Sequence, residues 1–200
     1  MIGPFSRKKL SLILGGAAAV GLLLSLTSIS IPSTPTGAAT ANTSRYVTDP
    51  NAAGPLVGST FAIPPEQSLA AGGTWGDLQG SREGIRLVII DFFATWCPPC
   101  QGETPLLRSF DRAYRTRGLQ IVGIAVNESA ETVAAYGRRY SLDYALIVDG
   151  DGALFRAAQA GGLPTKVLLD ARGRVIAVLP RPFTAADGPE LIEPLLAGAP

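Results

Sequence analysis

Hydrophobic residues fall along this chain in blocks whose spacing predicts alternating strands and helices. Arg86-Leu-Val-Ile-Ile-Asp-Phe-Phe-Ala94 is apolar on both faces, as expected of a central strand covered on both sides. Across residues 98–117, Leu106, Leu107, Phe110, Ala113 and Tyr114 share one helical face. Residues 119–126 read as a second buried strand. Residues 129–140 read as a helix ending in Arg138 and Arg139, where the helix dipole favours cations. A third strand at 144–148 leads through the Asp149-Gly-Asp-Gly152 turn to a short helix at 153–160, closed by Gly161-Gly162. Strands at 165–169 and 175–179 flank Asp170-Ala-Arg-Gly173, a hairpin signal, and 187–196 is a last short helix. Residues 61–78 add an N-terminal strand or hairpin. The order βαβα, short helix, ββ, α predicts an α/β sandwich around one sheet with both parallel and antiparallel strands.

Residues 1–44 follow a different pattern. Arg7, Lys8 and Lys9 form a basic patch, and residues 10–44 carry no charge. The apolar stretch 10–31 would span roughly 33 Å as a helix, enough to cross a bilayer. The positive-inside rule then leaves 1–9 in the cytoplasm and the rest of the chain outside. A cleaved signal peptide is the rival reading, because Ala39-Thr40-Ala41 has the small-x-small form of a cleavage site. The length of the apolar run, and its end well before Ala41, favour an anchor. Residues 32–55, rich in Pro, Ser, Thr, Ala and Gly, read as a flexible tether, and 56–200 as the folded domain.

Composition narrows the chemistry. There is no histidine, which removes Ser-His-Asp and Cys-His catalysis and His-ligated metals. Two cysteines are too few for a four-Cys zinc or iron–sulfur site, so no metal or dissociable cofactor is expected. Net charge is +1, with 17 basic against 16 acidic residues, and gives no pull toward nucleic acid. Hydrophobic residues make up 46% and charged ones 16%, apolar enough to agree with a membrane segment.

Both cysteines lie in Trp96-Cys97-Pro98-Pro99-Cys100, between a buried strand and a helix. A Cys-x-x-Cys in a βαβ setting is a redox signal. Two intervening residues bring the sulfurs within bonding reach in the first helical turn. Cys97 then sits where free N–H groups and the helix dipole favour a thiolate. Pro98 and Pro99 stiffen that turn but offer no N–H to the sulfur, so the pKa depression should be moderate. A purely structural bridge fits poorly, since so short a loop gains only about 2 kcal/mol from closure.

Asp91-Phe-Phe-Ala-Thr-Trp-Cys-Pro-Pro-Cys-Gln-Gly-Glu-Thr-Pro105 resembles the active-site segment of the TlpA/ResA-like branch of the thioredoxin superfamily. Gly162-Leu163-Pro164-Thr165, with Leu168-Leu169-Asp170 and Gly173, is similar to that family's second segment. The resemblance covers about residues 57–196. It implies a thioredoxin-like domain, membrane-tethered, acting as an extracytoplasmic thiol-disulfide oxidoreductase. Exported protein disulfides, such as those of apocytochrome c, would be its substrates and a membrane thiol reductant its electron donor. It also implies that Cys97 is the nucleophile, Cys100 the resolving thiol and Pro164 a cis-proline facing the disulfide.

Other residues add to this reading. Asp91 is a charge inside an apolar strand; desolvation should raise its pKa and let it relay a proton to Cys100. Left unpaired, such a carboxylate would cost stability. Glu103, three residues after Cys100, lies on the same helix side. Trp96, Pro98, Pro99, Leu163 and Pro164 are candidate substrate contacts. Pro105 should kink its helix. Two alternatives stand beside the oxidoreductase: a non-catalytic chaperone or binding module that merely keeps the fold, and a peroxiredoxin-like peroxidase. The peroxidase reading is weakened by Ala94, where the peroxidatic cysteine's usual Thr or Ser would fall three residues earlier.

Overall fold

The structure is a computed structural model that describes residues 56–81 and 83–198. The expected anchor at 10–31 and tether at 32–55 lie outside the described residues. Among those described, no helix is long and apolar enough to cross a membrane.

Five strands form one sheet: β1 (Leu87–Phe93), β2 (Leu119–Val126), β3 (Ala145–Asp149), β4 (Thr165–Asp170) and β5 (Val175–Leu179), in the spatial order β3-β2-β1-β4-β5. β1 pairs in parallel with β2, and β2 with β3, while β4 runs antiparallel to both β1 and β5. The expected mixed sheet is therefore present, with β1 at its centre and every β1 side chain buried. Among the described residues four α-helices accompany it: α1 (Pro98–Tyr114), α2 (Ala130–Tyr140), α3 (Ala153–Ala157) and α4 (Glu193–Leu196).

Strand alternation divides the core into two faces. Val88, Ile90 and Phe92 of β1 pack with Val122, Ile124, Val167 and Leu169, under α3 and the segment containing Phe61, Ile63 and Trp75. Leu87 and Ile89 point the other way, onto Leu107, Phe110 and Tyr114 of α1 and Leu191, Ile192 and Leu196 near the C-terminus. Asp91 belongs to this second face. A charge there meets a helix, not water.

Some elements depart from the sequence pattern. Residues 61–78 form no regular strand or hairpin. They make isolated bridges, Ser68 to Thr74 and Leu69 to Ile147, and a 3-10 helix follows at Trp75–Ser81. Gly and Pro punctuate this segment and prevent a continuous ladder. The long first helix stays continuous through Pro105 and tightens into a 3-10 turn at Arg115–Arg117, closed by Gly118 with φ +100°. The last helix opens as a π turn at Gly188–Ile192 before α4. Asp149 ends β3 inside the protein, where its carboxylate accepts from Leu154 N at 3.1 Å and Phe155 N at 2.9 Å and so starts α3.

Candidate active site

β1 delivers the chain through Ala94-Thr95-Trp96 to the start of α1, and the two cysteines sit at that junction. Cys97 is the N-cap, with extended φ −80° and ψ 112°. Its carbonyl accepts from Gln101 N at 3.0 Å, and its Sγ from Cys100 N at 3.4 Å. Pro98 and Pro99 fill the first helical positions, where a missing N–H removes no helical bond. Cys97 and Cys100 form a disulfide with Cα atoms 5.3 Å apart. Both are buried in this oxidised form, Cys97 at 4% exposure and Cys100 at 1%.

Around this buried pair the surface is apolar and open. Trp96 is 68% exposed, and Pro98 and Pro99 are exposed too. The Leu163–Pro164 peptide bond is cis, as the resemblance implies. Leu163 is half-buried and packs against the cluster that holds Cys97 and Cys100, which sets the Gly161–Pro164 loop against that cluster. Pro164 itself is buried.

The loop carrying Trp96 is tied down by two residues that the sequence did not single out. Glu128, in the β2–α2 loop, accepts from Thr95 N at 2.8 Å and from Thr95 Oγ1. Gln101 Nε2 donates to Thr95 O at 2.6 Å. Glu128 lies 33 residues from Thr95 in the chain, and no local pattern announces that contact.

Behind the cysteines lies a buried charge cluster. Asp91 and Lys166 are register partners across β1 and β4, with Lys166 Nζ 3.2 Å from Asp91 Oδ1. The same Nζ donates to Glu103 Oε1, and Glu103 Oε2 accepts from Phe183 N at 2.7 Å. Lys166 has no exposed surface. Asp91 is thus buried as expected but lies beside Lys166, which reduces the cost of burying its charge without cancelling it, because Glu103 shares the same ammonium. Glu103 is buried as well. Burial raises the pKa of Asp91, and the Lys166 charge opposes that rise. Burial, then repulsion from Asp91, pushes Glu103 up to about 7, against the pull of Lys166 and the Phe183 N–H. On the next helix, burial pushes Tyr136 up to about 12. Its hydroxyl shares a hydrogen bond with Thr104 Oγ1, which donates to Cys100 O at 2.8 Å.

Lys166 carried a signal in the sequence. It is the only lysine after Lys9, and it interrupts an apolar strand. An interior strand with one lysine needs a buried acid, and Asp91 was the available candidate. Among the described residues, no group of three or more His, Cys, Asp or Glu is placed to hold a metal ion.

Comparison with known proteins agrees with this geometry. The thiol-disulfide oxidoreductase ResA of Geobacillus kaustophilus is 29% identical over 100 residues, which are 50% of this chain and 58% of that protein. ResA of Bacillus subtilis is 29% identical over 110 residues, 54% of this chain and 62% of that protein. The chain therefore spans about three fifths of the length of these relatives. A thiol:disulfide interchange protein of the thioredoxin family from Chlorobium tepidum superposes with a TM-score of 0.52 at 29% identity, covering 68% of this chain and 99% of that one. The fold is also shared with a secreted disulfide oxidoreductase of Mycobacterium tuberculosis, at TM-score 0.52 and 23% identity over 66% of this chain and 93% of that one. The five-stranded mixed sheet is thus a thioredoxin-like domain distantly homologous to ResA. A family model described as the AhpC/TSA family matches residues 65–178, more than half of the chain, and the chain belongs to that family.

Proposed function

We propose that this protein is a thiol-disulfide oxidoreductase that reduces disulfides of exported polypeptides. The observation that carries the reading is the Cys97–Cys100 disulfide at a helix start, beside a cis-proline loop and under an exposed tryptophan. In the dithiol form, the Cys97 thiolate attacks one sulfur of a substrate disulfide and expels the other as a thiolate. The resulting mixed disulfide is resolved when Cys100, having lost its proton, attacks Cys97 Sγ. The substrate leaves as a dithiol and the protein keeps the electron deficit as the Cys97–Cys100 bond. A membrane thiol reductant outside the cytoplasm would restore the dithiol.

Trp96, Pro98, Pro99, Leu163 and Pro164 would form the rim that receives an extended polypeptide, apocytochrome c being one substrate of the right kind. Segment 10–31 would hold the domain at the outer face of the membrane. Asp91 and Glu103 would take the proton from Cys100, Glu103 standing three residues, about one helical turn, further along α1. A group poised near pH 7 exchanges protons efficiently at neutral pH.

Insulin reduction with a dithiol reductant tests the activity. Wild-type protein should accelerate B-chain precipitation, and Cys97→Ser should fall to the uncatalysed rate. Equal rates for the two would mean that the fold serves binding alone. Activity toward peroxide in place of disulfides would point to the peroxidase alternative, which Ala94 weakens.

A further inference from the structure

We propose that Lys166 is a positioning residue of this reaction, its ammonium binding Asp91 and Glu103 into one acid–base unit that exchanges a single proton with Cys100. The proposal rests on the oxidoreductase reading and extends it to a residue on a third element. Lys166 contacts both carboxylates, lying 3.2 Å from Asp91 Oδ1 and donating to Glu103 Oε1. It is fully buried, on the strand that begins one residue after the cis Pro164. It joins β1, which leads into the motif, to α1, which carries Cys100.

The charge count explains what such a unit does. Two ionised carboxylates and one ammonium leave one uncompensated negative charge in a dry site, which is costly. One added proton makes the unit neutral. The unit therefore favours holding one proton, and Lys166 limits it to one by stabilising the other carboxylate. Without the ammonium, two protons would be held and neither carboxylate could act as a base at neutral pH.

Two phenols face the carboxylates, and both stay un-ionised at neutral pH. From α2, Tyr136 feels both carboxylates, and so does Tyr144 just before β3; burial raises the pKa of each well above neutral. The Phe183 ring also lies against the ammonium, with Lys166 Nζ 5.4 Å from its centroid. During resolution the Cys100 proton passes to the unit and the Cys100 thiolate attacks Cys97 Sγ. The substrate sulfur leaves with the bonding pair, and the unit later returns its proton to solvent.

Carboxyl-carbon NMR titration of the full-length protein tests this without substrate. In the disulfide form, Asp91 and Glu103 should share one titration near neutral pH, and its midpoint should move when the disulfide is reduced to the dithiol. Lys166→Met should raise the midpoint by about one pH unit, equivalent to about tenfold less base on its acid side. Asp91→Asn should lower that of Glu103. Single-turnover resolution in Lys166→Met should shift its pH profile upward by the same amount. If Lys166→Met does not fold, the wild-type titration still decides. Separate titrations of both groups near pH 4 would overturn the shared-proton unit. A midpoint unmoved by reduction would overturn its link to Cys100. A folded Lys166→Met with wild-type profiles would show Lys166 to be structural. Because the titrations need no turnover, failure of insulin reduction would sink the oxidoreductase reading separately.

Discussion

Trp96 exposes 68% of its surface beside a cysteine that exposes 4%, so its indole adds little to the fold and is free to meet a partner. Trp96→Ala is expected to change stability by no more than about 0.5 kcal/mol, as surface substitutions do. It should raise KM for protein disulfides several-fold while leaving reduction of a small disulfide unaffected. Paired steady-state assays on insulin and on a small aromatic disulfide check this; equal losses on both would place Trp96 in the chemistry instead. At this scale much of the site was legible. The cysteine pair, Asp91 inside an apolar strand and Glu103 on the Cys100 side of its helix could each be read from local spacing. Lys166 and Glu128 could not. Their partners lie 63 and 33 residues away, so local spacing names neither pairing, and for Lys166 the one hint is a lone lysine inside an apolar strand.

Elements follow from periodicity where at least one strand face is buried and fail where the backbone is punctuated. β2 and β5 match their apolar runs at both ends, because a one-residue change would send core side chains to the other face. The segment at 61–78 could not be read that way. Its structure depends on bridges to Thr74 and to Ile147, and on Thr60 meeting Arg174, most of them across long stretches of chain. Gly118 shows a turn that backbone geometry alone dictates. It ends the 3-10 turn at φ +100°, and a Cβ there would stand 2.7 Å from the Gly84 carbonyl oxygen. Gly118→Ala should therefore cost about 1–3 kcal/mol. Gly102, inside α1, has open space where a Cβ would go, and Gly102→Ala should stabilise by about 0.5–1 kcal/mol. Urea denaturation of both variants, compared at unchanged slope, gives the two signs; a loss at Gly102 or none at Gly118 would contradict this account of the helix and its exit.

Over the whole molecule, the buried charge cluster links stability to pH. Glu103 titrates at about 7 in the folded protein against 4.5 as the ordinary value. Between those limits the native state binds more protons than the unfolded chain, so stability falls as pH rises from about 4.5 to 7. Asp91, raised by burial, acts in the same direction. Asp187 works oppositely: burial tends to raise its pKa, but Arg181 and the Thr184 N–H outweigh that and hold it below 3.8, so its contribution is lost only under stronger acid. The disulfide form should melt at a lower temperature at pH 8 than at pH 5, and Asp91→Asn should reduce the difference. A Tm that is flat or rising over that interval would mean that the carboxylates are ionised throughout. The sheet order, the helix start and the redox pair all serve one claim, that Cys97 attacks and Cys100 resolves. Mass mapping of mixed disulfides after reaction with one oxidised protein substrate tests it most directly. Cys100→Ser should accumulate substrate linked through Cys97, and Cys97→Ser should capture almost none; equal capture at both cysteines, or none at either, would contradict the claim.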